Sequence, residues 1–349
     1  MQKQRLEWGI FMKKLGAILA GLLLGASLMV TAVGCGNNNA ADLKAEDVVA
    51  QVQENMNEMK AISMNMNIGL DITNNMASED NQIALAANVD LTTKQDPLQI
   101  HMSADVSGMG TQSAKSEVYI VPENDGYVGY MGVTDGEEKT QWLKKTVSEE
   151  DCKELEQAMK EQLEQSDGKS VLDTETLMNK ALTMKVTGRE TVNNVGAIVI
   201  ESELKMDDFL DLMQNANLDS MIGSALEDAE TTKALYDGVT VPFTLYVDEE
   251  KMVLTRCTMD LAKPLKQIIQ NVMNSYMISS DAQTEGLDVS GINLDALLTI
   301  NKAELVIDIK GFNDTVKDII VPSDVKKNAV ESGEFDTDSL PLLGDTQTA

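Results

Sequence analysis

The sequence predicts an α+β fold built on long antiparallel strands, and three patterns predict it. Ile62, Met64, Met66, Ile68, Leu70 and Ile72 alternate without a break with Ser63, Asn65, Asn67, Gly69 and Asp71, the period of a strand with one apolar and one wet face. The same period returns in Ile83, Leu85, Ala87, Val89 and Leu91, and again in Leu98, Ile100, Met102, Ala104 and Val106, which makes a meander. Ahead of them, Ala45 to Lys60 sets Val49, Val52, Met56 and Met59 at helical spacing, one apolar stripe suited to lie on a sheet.

The later elements follow the same logic. Strands are expected at Glu117 to Val121 and Tyr127 to Met131, separated by the turn-forming Glu123-Asn124-Asp125-Gly126, and another through Trp142 and Leu143. A helix over Ser148 to Gln165 gathers Cys152, Leu155, Met159 and Leu163 on one side. Strands near Thr183 to Thr187 and Ala197 to Lys205 lead to a helix from Asp207 to about Ala225, opened by the paired carboxylates Asp207 and Asp208. Val241, Phe243, Leu245 and Val247 then face Cys257, Met259 and Leu261 across a turn at Asp248-Glu249-Glu250-Lys251. A helix from Pro264 to about Met277 precedes a last strand with Ala303, Leu305, Ile307 and Ile309 on its apolar side. Val321-Pro322-Ser323-Asp324 opens a short helix with Ser323 as its expected N-cap.

The amino terminus reads as an export signal. Lys13 and Lys14 precede an apolar run from Leu15 to Val30 of about 16 residues, short for a membrane span, and Ala32-Val33-Gly34-Cys35 supplies small residues before a cysteine. It resembles a bacterial lipobox, with Ala32 where leucine is usual, so Cys35 is the expected site of acylation by a palmitate-type lipid. Residues 1–34 then form a lipoprotein signal peptide, residues 35–41 the lipidated cysteine and tether, residues 42–330 the folded domain and residues 331–349 an acidic disordered tail. Met12-Lys13-Lys14 is an alternative start to Met1. The expected location is the extracytoplasmic face of the cell membrane, held by a lipid anchor.

Composition narrows the partners. Without residues 1–34 the chain keeps 24 basic and 56 acidic residues, a net charge of −32. Such a surface repels nucleic acid and anionic headgroups. Catalytic groups are scarce: the single histidine, His101, lies between Ile100 and Met102 and so points to the polar face of its strand as an ordinary strand residue. A His-rich zinc site is thereby excluded, and no phosphate loop, EF-hand pattern or Cys-x-x-Cys pair occurs. No catalytic residue, metal or cofactor is expected, and the protein reads as a non-enzyme. Carboxylates are plentiful enough for a paired-acid hydrolase, yet two Trp, six Tyr and five Phe are poor provision for stacking sugars.

At this point the residues carry a resemblance. An acylated cysteine, an opening helix ending Met59-Lys60-Ala61-Ile62-Ser63-Met64, and repeated amphipathic strands look like the superfamily of LolA-like and LprG/LppX-like envelope lipoproteins. The segments Val241-Pro242-Phe243-Thr244-Leu245-Tyr246-Val247-Asp248, Leu254-Thr255-Arg256-Cys257-Thr258-Met259-Asp260-Leu261, Gly311-Phe312-Asn313 and Ile320-Val321-Pro322 are similar to a group of uncharacterised Gram-positive lipoproteins near that superfamily. The resemblance implies a strongly curved antiparallel sheet, a half-barrel, with helices covering its concave face, an apolar cavity between, and a lipid or acylated ligand.

The residues allow the same reading by another route. Of 21 methionines, Met64, Met66, Met102 and Met259 fall on the expected inner face, where unbranched thioethers adapt to varied shapes or simply fill a core. The candidate cavity comprises Met64, Met66, Ile68, Leu85, Val89, Ile100, Met102, Phe243, Leu245 and Met259. Cys152 and Cys257 both sit on apolar faces and are either two buried thiols or a disulfide formed outside the cell. Two functions remain: a membrane-anchored carrier of an apolar ligand, or a structural or sensory envelope protein with a filled core that binds a protein partner.

Overall fold

A computed structural model describes residues 43–56, 59–76, 82–108, 111–123, 126–135, 140–147, 180–215, 236–279 and 294–331. The signal segment with Cys35, the tether, the expected helix carrying Cys152, the distal half of the helix expected from Asp207 and the tail lie outside the described residues.

Helix α1 (Ala45–Met56) is followed by six antiparallel neighbours, β1 (Ala61–Asn74), β2 (Gln82–Lys94), β3 (Gln99–Gly108), β4 (Thr111–Glu123), β5 (Gly126–Asp135) and β6 (Gln141–Val147). A second run comprises β7 (Met184–Val192), β8 (Val195–Lys205), helix α2 (Met206–Asn215), β9 (Thr240–Asp248), β10 (Leu254–Asp260), helix α3 (Ala262–Ser279), the one-turn α4 (Leu294–Leu297) and β11 (Leu298–Phe312). The chain ends through a 3₁₀ turn (Asn313–Thr315), α5 (Ser323–Asn328) and β12 (Val330–Glu331). All twelve strands belong to one open, curved sheet in the order β12-β6-β5-β4-β3-β2-β1-β11-β10-β9-β8-β7. This is the half-barrel, with helices on its inner, concave face.

Two meanders thus meet at a seam between β1 and β11, antiparallel from Ile62 opposite Phe312 to Asn74 opposite Leu298. Strict alternation in both strands fixes that register, because a one-residue slip would turn Met64, Met66 and Ile307 to the wet face. The seam carries two irregularities, between Ser63 and Met64 and between Asp71 and Ile72, which leave Lys310 and Asn301 as unpaired extra residues. Such bulges bend a strand and strengthen its twist, as a curving sheet requires.

Helix α1 buries Val48, Val49 and Val52 in the inner core, and Asn55 Nδ2 donates to the carbonyls of Lys251 and Met252 at 2.8 and 3.1 Å. It therefore crosses the inner face toward the β9–β10 turn. Met206 and Phe209 of α2 join the same core, and Ile268 of α3 packs against it. The β9–β10 turn is held by Asp248, whose Oδ1 accepts the Glu250 and Lys251 amides at 2.9 and 3.0 Å.

Several elements differ from expectation. Strands β7 and β8 extend to a two-residue turn in which Asn193 and Asn194 have φ of 51° and 66°. Asparagine tolerates that left-handed region, so the Asn pair between Val192 and Val195 forms a hairpin turn. Ser323 is not an N-cap: Pro322 holds that place, its carbonyl accepting the Lys326 amide at 3.1 Å, and Ser323 is the first helical residue without a side-chain cap. The larger difference lies on the outer face. Residues 313–331 form a strap across it, and α5 places Val325 beside Tyr119, Val121 and Tyr130 in a second, smaller core. One helix therefore covers the convex side, and β12 pairs in parallel with β6.

Burial follows alternation closely enough to be tested. Ile100 is fully buried whereas Ile320, on the strap, is 81 % exposed. Ile100→Ala is expected to cost about 2–5 kcal/mol and Ile320→Ala less than about 0.5 kcal/mol, measured by urea denaturation.

Candidate functional site

The inner face is organised as rows of side chains running across the strands. One row passes through Met131, Val118, Met102, Leu91, Met64 and Ile309, in register on β5, β4, β3, β2, β1 and β11. The next passes through Ala104, Val89, Met66, Ile307, Cys257, Leu245 and Ile200. A third contains Ala87, Ile68, Leu305, Met259 and Phe243 and ends on Ser202. Directly opposed partners share a face, so each row is a continuous apolar strip.

Nine of the ten candidate cavity residues belong to this one assembly. Met64, Met66, Val89, Ile100, Met102, Phe243, Leu245 and Met259 are buried in the main core, and Ile68 packs against it half-buried. Leu85 faces the same way, opposite Leu70, but is half-buried and stands outside that core. Ser202, the polar end of the third row, donates its hydroxyl to the Thr183 carbonyl and so leaves no unsatisfied donor among the apolar groups.

Cys257 occupies the centre of the second row. It is a free thiol, fully buried, and burial pushes its pKa up to about 12. Its thiolate is therefore suppressed, which removes it from nucleophilic chemistry at neutral pH. Cys152 lies outside the described residues. Among the described residues no group of three or more His, Cys, Asp or Glu could hold a metal, and no helix is long and apolar enough to cross a membrane.

The outer face carries the polar partners of the alternation. Asn65 donates to Asn88 Oδ1 at 3.1 Å and Asp90 Oδ1 at 3.0 Å, and Arg256 Nε donates to Asp308 Oδ1 at 2.7 Å. Asn193 adds a second donor to Asp308 at 3.0 Å. Burial works to raise the Asp308 pKa, but the Arg256 and Asn193 bonds and the charges of Arg256 and Lys310 outweigh it and lower it.

His101 lies on this face as expected, but it is not an ordinary exposed strand residue. Its ring stacks on Tyr119 at 4.4 Å between centroids, and Nε2 lies 2.9 Å from Glu117 Oε1. The Tyr119 hydroxyl donates to the same carboxylate. The His101 bond holds the Glu117 pKa low against the opposing effect of burial, and burial with the Glu117 contact raises that of Tyr119. The sequence signal for this covered patch is Val118-Tyr119-Ile120-Val121, an apolar run without alternation that marks a strand buried on both faces.

No family model and no curated protein matches the chain. Among solved structures the chain is similar to the Mycobacterium tuberculosis lipoprotein LppX, at 9 % identity and a TM-score of 0.34 over 78 % of this chain and 99 % of that one. It is also similar to LprF of Mycobacterium bovis, at 10 % identity and a TM-score of 0.36 over 80 % of this chain and 96 % of that one. A DUF1329 family protein of Desulfovibrio piger matches at 11 % identity and a TM-score of 0.20 over 77 % of this chain and 90 % of that one.

Two outcomes follow from the site. Alkylation with iodoacetamide at pH 8, mapped by peptide mass spectrometry, should leave Cys257 unmodified in the native protein and modify it fully in urea. The lowered Asp308 and Glu117 values mean that both carboxylates contribute stability above about pH 4.5 and lose it as the pH falls through their folded-state values. The urea midpoint should therefore fall from pH 7 to pH 3, and by less in Asp308→Asn; an equal fall in both proteins would exclude this role for Asp308.

Proposed function

We propose that the protein is a membrane-tethered extracytoplasmic lipoprotein that carries an apolar ligand, a lipid or an acylated molecule, between the inner face of its sheet and the helices above it. The carrying observation is the set of in-register apolar rows, which makes a surface several strands wide and covers it with helices instead of a second sheet. Helices resting on a sheet through an apolar stripe can shift with little loss of backbone hydrogen bonding, because their bonds are internal. Met64, Met66, Met102 and Met259 lie in these rows, and their unbranched side chains can repack around an inserted chain.

Carriage of this kind needs no covalent chemistry. Each methylene removed from water contributes about 0.8 kcal/mol, so an acyl chain is bound by area alone. Cys35 in the sequence supplies the expected lipid anchor, and about ten residues separate it from α1 as a tether. The lipobox and the export signal support the extracytoplasmic placement.

A second reading, an envelope protein with a filled core that acts through a protein partner, is favoured by one observation. Ile100, Ile200, Leu204 and Val241 are completely inaccessible, as in close-packed interiors. Native mass spectrometry with organic extraction of the chain from Ala41 onward, purified from a bacterial host without detergent, separates the two. Co-purified lipid at a defined stoichiometry, lost in Met66→Trp, is the outcome expected of a carrier. A bare protein mass after incubation with membrane lipids would reject carriage and leave the filled-core reading.

A further inference from the structure

Strands β1, β2 and β11 run on past their neighbours at one end of the sheet. β10 stops at Asp260, opposite Glu304, and β3 stops at Gly108, opposite Leu85. β1 continues to Asn74, β2 reaches back to Gln82 opposite Thr73, and β11 begins at Leu298 opposite Asn74. The result is a three-stranded ribbon that projects beyond β3 and β10.

One side of the ribbon is aliphatic. Leu70 stands opposite Leu85, and Ile72 stands opposite both Ile83 and Ile300. Plain alternation from Ala303 would send Ile300 and Leu298 to the outer face. The extra residue Asn301 turns them back, so the bulge re-aims two large side chains onto the apolar side. Leu70, Ile72, Ile83, Leu85, Leu298 and Ile300 thus extend the inner rows, yet none of them joins the main core.

Exposure climbs steadily toward the ribbon. Along β2, Leu91 is 1 % and Val89 8 % exposed, Leu85 is half-buried and Ile83 is 48 % exposed. Along β1, Ile62, Met64 and Met66 are buried, whereas Ile68, Leu70 and Ile72 are half-buried. The opposite end of the sheet is closed: Leu98 and Ile100 are buried there, and Asn55 ties α1 to the β9–β10 turn. The inner face is therefore sealed at one end and open at the other.

Polar bonds on its outer side hold the ribbon in shape. Gln82 Nε2 and Asn301 Nδ2 each donate to Asp71 Oδ1 at 3.0 Å, and Asn301 also donates to Thr73 Oγ1 at 2.8 Å. The Asn75 amide donates to the Leu297 carbonyl at 2.8 Å and its side chain to the Asp295 carbonyl at 2.9 Å. The aliphatic side thus keeps its place without a core beneath it. An exposed apolar patch continuous with a buried apolar groove has the form of an entrance.

We propose that this ribbon is the mouth of the carrier. The acyl chain of the ligand passes Ile83, Ile72 and Ile300 first, its methyl end comes to rest toward Met64, Leu91 and Ile100, and its polar group stays at the ribbon. This inference rests on the carrier reading and adds to it the point of entry and the orientation of the ligand. The path from Ile83 to Leu91 is about 27 Å at about 3.4 Å per residue. One leaflet contributes only half of a hydrocarbon core of about 30 Å, so a single extended chain fits along the path. A polar headgroup is held back because burying it unpaired among the rows is unfavourable. A second copy of the chain suits the same face poorly, since each copy has a net charge of −29.

The full-length chain, reconstituted in phosphatidylcholine vesicles, is given palmitate carrying a diazirine either at the methyl end or beside the carboxyl group. Samples are irradiated at intervals and the adducts mapped by peptide mass spectrometry. The methyl-end probe should label the peptides holding Met64, Met66 and Ile100, and the carboxyl-end probe those holding Ile72, Ile83 and Ile300. Ile83→Asp puts a charge in the mouth, so inner-row adducts should form about tenfold more slowly, the effect of roughly 1.4 kcal/mol of added barrier. Ile320→Asp, on the strap, should leave the rate unchanged. The two probe positions are read in the unaltered chain and do not depend on how a variant folds. Inner-row labelling without ribbon labelling, the reverse order of the two probes, or an equal rate in Ile83→Asp overturns the mouth and leaves the carrier reading standing. Labelling confined to the ribbon, which bilayer contact alone would give, also overturns it. No adduct on ribbon or inner rows with either probe rejects the carrier reading itself, and the mouth with it.

Discussion

The seam between β1 and β11 is the constraint on which the rest of the structure depends. These strands lie far apart in sequence, and each is the inner end of its own meander. Without their pairing β1–β6 and β7–β11 would each present an exposed apolar face and an unpaired edge, a template for aggregation. With it, Met64, Met66 and Ile68 align with Ile309, Ile307 and Leu305, and the rows on the two halves become continuous. Closing so long a loop has an entropic cost before the contacts repay it, which places the seam among the slow steps of folding.

The two faces of the sheet are then put to different uses. The inner face is apolar from β5 to β8 and is covered by α1, α2 and α3. The outer face is a polar lattice in which Asn65, Asp90, Arg256 and Asp308 satisfy one another across strands. Over β4 to β6 it is covered by a small core, because Tyr119, Val121 and Tyr130 there supply enough apolar area to hold Val321 and Val325. The strap is thus retained by a small core of its own and by ion pairs at its margins, Lys326 with Glu123 and Lys144 with Glu331. Surface pairs of this type contribute little stability individually, so they orient the strap more than they hold it.

An apolar ligand must part helices from the inner rows, a change that exposes or exchanges hydrophobic area. The outer face under the strap is fixed instead by the sheet and by Asn313, Gln99 and Thr315.

The strands of the first meander, the last long strand and the face of each candidate cavity residue were legible in the sequence, because strand alternation is a local property and a half-buried strand must obey it. What the sequence could not determine was which distant strands pair, since the apolar face of β1 would match β2, β11 or β9 equally well. It also missed the strap. Val321 and Val325 are two apolar residues in a short polar segment, and only the docking of that segment on Tyr119 and Tyr130 gives them a partner. Alternation puts the lone His101 on the correct face, but what covers it comes from two distant parts of the chain: β4, with Tyr119 and Glu117, and the strap. Local periodicity decided the elements and their faces; long-range pairing, which has no local signature, decided the sheet order and the docking of the strap.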